Sequence, residues 1–373
     1  MKKKICVLTG SRAEYGLQKN LINLIKTDPE LKLFLIVTGT HLSKEHGNTS
    51  QQIKKDKIKI YRNITIIKKK SDIPIEISVL IKEISKDLKK IKPDILLLVG
   101  DRYEVFAAAI AAYYLKIKIV HFHGGETTTG SLDEGARHGI SKLSDLHFVA
   151  NNLFKKKLVE MGENPKNIFA LGGLGVDSIL STKFFNKKKI QDLLGTNLEK
   201  KNFLVTYHPE KNEIKKQIKF IKSSFFYLSK IKNIKIFITA PNSDANNELL
   251  IETLKNEVNK NKKNTFYYSS LGNRLYYSLI KYIDGVIGNS SSGICEVPSF
   301  NKGTINIGPR QNGRPRSKSI IDIKYDISQF KIALRKIMST NFKQNLNKNI
   351  NLYGNSKSSK TIFKKLKQFL KDN

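Results

Sequence analysis

Titratable side chains directly follow two apolar segments of this sequence. Residues 95–99 are apolar and lead into Asp101 and Arg102, and residues 117–122 lead into a His-Phe-His-Gly-Gly-Glu motif that ends at Glu126. Such apolar segments are typical of buried parallel strands, and ligands bind where the carboxyl ends of adjacent parallel strands meet. The pattern therefore predicts a reaction centre at one sheet edge, supplied with acids, histidines and arginines.

His121 and His123 alternate along the second of these segments, so a two-residue period places them on the same side of a strand. Zinc is not predicted, because no third ligand follows at a characteristic spacing. One of the two histidines can equally be a hydrogen-bonded structural residue. Glu126 is a candidate acid, base or ligand of a sugar hydroxyl.

Further along the chain, Asp133, Arg137 and His138 lie at helical spacing. Asp133 and Arg137 are four residues apart, so they can form either part of the site or an ordinary helical ion pair. His208 follows another apolar segment, where a histidine could donate to a phosphate or protonate a leaving group. A surface turn is the alternative for His208.

The segment 288–293, Gly-Asn-Ser-Ser-Ser-Gly, predicts an anion site where a strand ends and a helix begins. Glu296 lies one turn further on, where a carboxylate can accept hydrogen bonds from both ribose hydroxyls. An ordinary serine cap with a surface glutamate is the alternative. Arginines in the loops at Arg12 and 310–316 favour a diphosphate ligand.

Alternating apolar strands and amphipathic helices predict an α/β fold made of two Rossmann-like domains with parallel sheets that face a cleft. We place the N-terminal domain at 1–180 with most of the catalytic residues, and the C-terminal domain at 195–350. The lysine-rich stretch 181–201 is predicted to be the linker, and residues 351–373 a C-terminal helix that packs back across the junction. No GxGxxG motif begins either half, so NAD is not indicated.

The composition excludes several classes of protein. The net charge of +35 suggests nucleic acid, but only nine of the 67 basic residues are arginine and the lysines are spread along the chain, which disfavours this partner. No apolar run approaches the roughly 20 residues that span a bilayer, so no membrane partner is expected. Two cysteines without a metal or disulfide spacing indicate a cytoplasmic protein.

Several motifs in order over residues 4–320 resemble those of the hydrolysing UDP-N-acetylglucosamine 2-epimerases of sialic and legionaminic acid biosynthesis. The motifs are Thr9-Gly-Ser-Arg-Ala-Glu-Tyr-Gly16, Val37-Thr-Gly-Thr-His-Leu42, Gly100-Asp-Arg102, His121-Phe-His-Gly-Gly-Glu126, Arg137-His-Gly-Ile-Ser-Lys142, His208-Pro-Glu210 and Gly288-Asn-Ser-Ser-Ser-Gly293.

The resemblance implies a fold like that of GT-B glycosyltransferases, a UDP-linked sugar substrate, no cofactor, no metal, and a homo-dimer or tetramer. It also implies a two-stage reaction: elimination of UDP to 2-acetamidoglucal, then addition of water to release N-acetylmannosamine. By position, Asp101 and Asp133 match the family's catalytic acids. The positions that match the surroundings of UDP are Arg12, His208, Ser290, Ser291, Glu296 and Arg310, and residues 195–350 would form the UDP-binding domain.

Some relatives carry glutamate where this chain has His123, which leaves open whether His123, Asp133 or Glu126 abstracts the C2 proton. The predicted catalytic set is Asp101, His123, Glu126, Asp133, Arg137 and His208. The predicted substrate-binding set is Arg12, Arg102, Ser290, Ser291, Ser292, Glu296 and Arg310. UDP-N,N'-diacetylbacillosamine is an alternative substrate. Three further alternatives are a glycosyltransferase on the same fold, a non-hydrolysing epimerase and a basic binding module.

Overall fold

The computed structural model describes residues 2–43, 48–67, 72–128, 133–210, 213–241, 247–346, 350–354 and 358–372. In the first half of the chain, short and nearly continuous apolar segments form the strands. The strands are β1 (Lys3–Thr9), β2 (Leu31–Thr38), β3 (Ile60–Ile64), β4 (Ile95–Val99), β5 (Lys118–Phe122), β6 (Leu146–Val149) and β7 (Ile168–Ala170). They pair in parallel in the order β3-β2-β1-β4-β5-β6-β7. The strand order reverses between β1 and β4, which is where such sheets bind ligands.

Helices cover both faces of this sheet because alternate strand residues point to opposite sides. On β1, Ile5 and Val7 belong to one buried cluster, and Cys6 and Leu8 to another. The helices are α1 (Arg12–Thr27), α2 (Ser50–Lys55), α3 (Ile73–Ile91), α4 (Tyr103–Tyr114), α5 (Asp133–Lys142), α6 (Asn152–Glu160) and α7 (Leu174–Leu180), with 3₁₀ turns at Gly39–Leu42 and Pro165–Asn167. Burial on both faces explains why the strands lack an apolar–polar alternation.

A second parallel sheet follows in the order β10-β9-β8-β11-β12-β13. Its strands are β8 (Lys201–Thr206), β9 (Ile234–Thr239), β10 (Thr265–Tyr268), β11 (Gly285–Gly288), β12 (Gly303–Ile307) and β13 (Ile320–Ile323). Its helices are α8 (Lys187–Leu194), α9 (Ile214–Ser229), α10 (Asn247–Lys260), α11 (Gly272–Ile280), α12 (Ser291–Cys295), α13 (Ile327–Met338) and α14 (Thr340–Asn345), with a 3₁₀ turn at Val297–Phe300. This sheet also reverses its strand order beside its first strand, between β8 and β11.

The last helix, α15 (Ser358–Asp372), packs against α1 and α7 of the first sheet's layer. It buries Ile362, Leu366 and Leu370, which recur every four residues on one face. At its start, Asp177 of α7 accepts hydrogen bonds from the backbone N–H and the hydroxyl of Ser359. The chain divides into two compact units: the first comprises Met1–Thr127, Ser131–Ser181 and Tyr353–Asn373, and the second Thr128–Gly130 and Thr182–Leu352.

The expectation of a linker at 181–201 is wrong for its central part. Residues Lys187–Leu194 form α8, which begins at the cap residue Asn186 and ends at Gly195 in the left-handed conformation. Ile190 and Leu194 of this helix are buried, so the lysines mark the solvent face of an amphipathic helix. No helix in the described ranges is both long and apolar enough to cross a bilayer.

Candidate functional site

In the first unit, Arg137 connects the ends of two strands. Its guanidinium donates through Nη2 to the carboxylate of Asp101, just beyond β4, and through Nη1 to the carbonyl oxygen of Glu126, 2.7 Å away. Arg137 is almost completely buried, whereas the Asp101 side chain is about one quarter exposed. The structure thus brings together three predicted residues and leaves Asp101 accessible. Of the two interpretations of Arg137, membership of the site fits these contacts.

His123 and Glu126 form a second pair at the same edge. The imidazole Nδ1 lies 2.8 Å from Glu126 Oε1, and since a carboxylate only accepts, Nδ1 carries the proton. The Nε2 atom is enclosed and has no hydrogen-bond partner among the described residues. The ring of His123 therefore keeps one unused acceptor position, and a buried unsatisfied group of this kind calls for an explanation.

The expectation that His121 and His123 share one strand face is wrong. Strand β5 ends at Phe122, and His123 adopts a left-handed backbone with φ of 67°, so the two-residue period stops before it. His121 is fully buried, and its Nε2 donates to the carbonyl oxygen of Gly100 over 2.8 Å. Burial lowers the pKa of His121 to about 3, so it is the neutral, structural member of the pair.

Arg102 lies beside Asp101 but pairs with a different carboxylate. Its Nε is 3.2 Å from Oε2 of the fully buried Glu104, in the first turn of α4. The backbone of Arg102, not the side chain of Asp101, forms the N-cap of α4. Arg12 begins α1 at the end of the neighbouring strand β1, and burial lowers its pKa. Two arginines thus lie at the switch point of the first sheet.

Asp133 is the first residue of α5 and partly buried. On the same helix, His138 Nε2 lies 3.5 Å from Glu134 Oε1, which is an i,i+4 pair. The structure gives His138 a local partner within its own helix, unlike the residues that meet at Arg137.

In the second unit, His208 is held by the side chain of Asn289, which is fully buried just beyond β11. Asn289 Oδ1 accepts from the His208 backbone N–H at 2.6 Å, and Nδ2 donates to the His208 carbonyl oxygen at 2.9 Å. The same Nδ2 donates to Glu210 Oε1 at 2.9 Å, and Arg310 Nη1 donates to the Asn289 carbonyl oxygen at 3.3 Å. The side-chain amide of Asn289 therefore joins the serine loop, residues 288–293, to His208 and Glu210, and its backbone carbonyl joins the same loop to Arg310.

His208 is itself 95% shielded from solvent, so it is not part of a surface turn. Burial, and then the positive charge of Arg310, hold the pKa of His208 well below its usual value. Burial also raises the pKa of Glu210, although hydrogen bonds from Asn289 and Tyr325 oppose this. His208 is accordingly a neutral imidazole at physiological pH.

The serine loop positions Glu296 from two directions. Ser292 Oγ donates to Glu296 Oε2 at 2.5 Å, and Tyr277 OH donates to Glu296 Oε1 at 3.1 Å. Ser290 caps α12, accepting from the Ser292 backbone N–H, and Ser291 begins that helix. The helix that the serines begin, α12, has only five residues.

Gly288 shows why this loop needs glycine. Its φ is +137°, and a Cβ there would lie 1.9 Å from the carbonyl oxygen of Thr206 on the adjacent strand. The chain turns sharply at this point, which delivers Asn289 and the serines to the end of the sheet.

The predicted catalytic and substrate-binding sets do not include Glu14, Glu104, Asn289 and Tyr277, although Asn289 lies in the predicted anion-binding segment. Each is buried or partly buried and contacts a predicted residue or the loop that carries one. The two glutamates follow strand ends by five residues, which is a usable signal, whereas nothing in the local sequence marks Tyr277.

Comparisons with known proteins show the family and the fold of this chain. Residues 23–367 match the UDP-N-acetylglucosamine 2-epimerase family. The GDP/UDP-N,N'-diacetylbacillosamine 2-epimerase (hydrolyzing) of Campylobacter jejuni is 39% identical over 347 residues, covering 92% of this chain and 90% of that protein. The UDP-N,N'-diacetylbacillosamine 2-epimerase (hydrolyzing) of Legionella pneumophila is 34% identical over 379 residues, covering 98% and 96%.

The crystal structure of UDP-GlcNAc 2-epimerase from Neisseria meningitidis bound to UDP-GlcNAc has a TM-score of 0.86 to this chain, covering 98% of this chain and 100% of that one at 18% identity. The predicted α/β fold with parallel sheets is confirmed. The chain belongs to the UDP-N-acetylglucosamine 2-epimerase family, and the resemblance read from its motifs is confirmed.

Proposed function

We propose that this protein is a hydrolysing 2-epimerase that converts a UDP-linked 2-acetamido sugar and water to the free 2-epimeric sugar and UDP. The observation that carries the proposal is the chain of contacts from Asp101 through Arg137 and Glu126 to His123. It supplies a carboxylate and an oriented imidazole at the switch point of a parallel sheet. The two relatives named above, both described as hydrolyzing, support the hydrolytic outcome.

The reaction balances in two stages. First, the C2–H bond and the bond from C1 to the diphosphate oxygen break, a C1–C2 double bond forms, and UDP leaves with the bonding electron pair. Second, water adds its oxygen to C1 and a proton returns to C2 on the opposite face. No oxidation or reduction occurs, so the proposal needs no cofactor, and no metal is required because the diphosphate is an adequate leaving group.

We assign removal of the C2 proton to Nε2 of His123, the acceptor that no described residue occupies. Glu126 holds the ring in the required tautomer and offsets the positive charge that forms when the ring takes a proton. This is the same arrangement of base and orienting carboxylate that activates histidines in other enzymes. Asp133, at the start of α5, is the alternative base.

Asp101 stabilises the positive charge that develops at C1 as UDP departs, with Arg137 keeping the carboxylate in place. For UDP itself we propose the sequence-predicted substrate-binding residues together with His208. Glu296 would accept from the ribose hydroxyls, and neutral His208 would donate to a phosphate. The remaining UDP ligands proposed are Arg12, Arg102, Ser290, Ser291, Ser292 and Arg310.

Between the two candidate substrates, we favour UDP-N,N'-diacetylbacillosamine, because the 39% and 34% identical relatives carry that name. UDP-GlcNAc is the second candidate, supported by the family's name. The two sugars differ only at C4 and C6, away from the bonds that react.

The test is proton NMR of the purified protein in D₂O with each nucleotide sugar in turn. Release of UDP together with the free 2-epimer, deuterated at C2, is the expected result, faster with the diacetamido trideoxy sugar. A product still attached to UDP would indicate a non-hydrolysing epimerase. Absence of UDP release from both would refute the proposal and favour a glycosyltransferase that needs an acceptor.

The role of His123 is tested separately with His123→Gln. General base catalysis contributes about 10²- to 10⁴-fold, so kcat should fall by at least about 10²-fold. His147→Gln is the matched control, since His147 is another buried histidine of the same sheet, 3.3 Å from Glu163. If His123→Gln retains its activity while Asp133→Asn loses it, Asp133 is the base.

We further propose a cytoplasmic homo-oligomer. Light scattering after size-exclusion chromatography tests the dimer or tetramer, and a monomer at micromolar concentration would contradict it. Fractionation of cells tests the location.

A further inference from the structure

Two glutamates and one arginine are packed together beneath the ends of β1 and β4. Glu104 is fully buried and 3.2 Å from Arg102 Nε. Glu14 is almost fully buried, and its two oxygens accept from the Gly10 backbone N–H at 2.8 Å and from Ser11 Oγ at 3.0 Å. We call Glu14, Glu104 and Arg102 the switch-point cluster.

The backbone encloses this cluster closely. At Gly39, whose φ is +57°, an added Cβ would lie 2.7 Å from Glu104 Oε1 and 2.7 Å from the carbonyl oxygen of Gly10. At Gly10, an added Cβ would lie 3.5 Å from an oxygen of each glutamate. Both carboxylates therefore share one small space, and with a single arginine the cluster carries one uncompensated negative charge when both are ionised.

The burial and the negative charge of this cluster favour the protonated form of Glu14. Burial, and then the negative charge of Glu104, raise the pKa of Glu14 to about 7, with Arg102 opposing the rise. The pKa of Arg102 is itself raised despite burial, because Glu104, Glu14 and Asp133 surround it with negative charge. On the adjoining turn, burial lowers the pKa of His41 to about 4, so that ring adds no charge at neutral pH.

We propose that Glu14 and Glu104 are positioning residues for Arg102, and that the pair takes up one proton when Arg102 binds the diphosphate of the nucleotide sugar. This inference rests on the proposed function. A diphosphate brings a second source of negative charge to a guanidinium that two carboxylates already surround. Protonation of Glu14 removes part of the repulsion, so diphosphate binding and proton uptake favour each other.

The sign of the pH effect follows. Well below pH 7, Glu14 is protonated before the ligand binds, so diphosphate binding requires no proton from solvent. Above pH 7 a proton must be taken from solvent, so affinity falls as the pH rises, by up to about tenfold per pH unit for one proton. The diphosphate of a nucleotide sugar has no ionisation in this range, so the ligand does not contribute. Both arginines at the switch point, Arg12 and Arg102, stay charged throughout.

The experiment measures KM and kcat between pH 6 and 8.5 with whichever nucleotide sugar is turned over. In the wild type, KM should rise about tenfold or more across this range. In Glu14→Gln, a neutral mimic of the protonated acid, KM should stay low and nearly constant, and Glu14→Asp should restore the rise. Glu257→Gln is the control, because Glu257 is also buried but pairs with Lys260 on α10 of the second unit.

The inference is overturned if the KM of Glu14→Gln rises with pH as much as that of the wild type, or if the KM of the wild type does not rise. In either case, turnover of the nucleotide sugar still upholds the proposed function. If no turnover occurs, or if Glu14→Gln does not fold, calorimetry of the wild type with UDP-GlcNAc at pH 8, in two buffers of different ionisation enthalpy, still counts the protons. We expect uptake of close to one proton; zero uptake overturns the inference.

Discussion

Asn289 should contribute more to the stability of the second unit than any other side-chain amide that the structure describes near His208. Asn289→Ala removes three hydrogen bonds: one from the His208 backbone N–H, one to its carbonyl oxygen and one to Glu210. At about 1 kcal/mol of net stability each, the loss is about 3 kcal/mol in the free energy of unfolding. The His208 carbonyl keeps a partner in Gln217, which prevents a larger loss.

The assay is equilibrium unfolding in guanidinium chloride, where a lower midpoint at constant slope reports lost stability. Asn256→Ala is the control, because Asn256 is exposed on α10 and should change stability by no more than about 0.5 kcal/mol. UDP titrations of the same variant should show weaker binding, because the Asn289 side chain holds the backbone of His208, a proposed phosphate ligand. Stability within 0.5 kcal/mol of the wild type would refute the reasoning that this amide organises the loops.

Three other predictions follow from buried or functional groups. Asp101→Asn and Asp133→Asn should each slow turnover by roughly 10²-fold or more, measured as UDP release, and near-wild-type rates in either would remove that residue from the mechanism. Gly288→Ala should abolish soluble folding, since its Cβ would overlap a carbonyl oxygen of the adjacent strand; a well-folded variant by circular dichroism would contradict this. Asp177→Ala removes two hydrogen bonds from Ser359 and one from Asn20 of α1, and should raise amide hydrogen exchange in α15, which unchanged exchange would disprove.

Two further variants, Asn151→Ala and Gly135→Ala, serve as controls. Asn151→Ala removes the cap of α6 and serves as a control for general destabilisation of the first unit, without effect on turnover expected. Gly135→Ala is the control for Gly288, because an added Cβ at Gly135 would meet nothing within 4 Å.

Much of the architecture could be predicted because local sequence determines it. Apolar segments such as Ile95–Val99, too short for a buried helix, are typical of buried strands, and the cycle of strand, helix and strand leads to parallel sheets. The family was also accessible from the sequence, since its motifs lie at strand ends, where backbone geometry and chemistry both restrict the residue types. The positions of Asp101, Glu126 and His208 at those ends followed from the same pattern.

Which side chains contact each other at the site is visible only in the tertiary structure. The sequence offered Asp133 as the helical neighbour of Arg137, yet the guanidinium binds Asp101, 36 residues earlier in the chain. The two-residue period of β5 does not extend to His123, because the strand ends at Phe122 and the backbone of His123 is left-handed. Neither outcome can be read from spacing, since each depends on which strand ends meet.

The switch-point cluster shows the division most clearly. Glu14 and Glu104 each look like an ordinary acid in the first turn of a helix, favourable to the helix dipole and exposed to water. Only the pairing of β1 with β4 places both beside Gly10 and beside one arginine. The sequence by itself determined that these strands, helices and acids exist; burial and proximity, which raise the pKa of Glu14, came only from the assembled sheet.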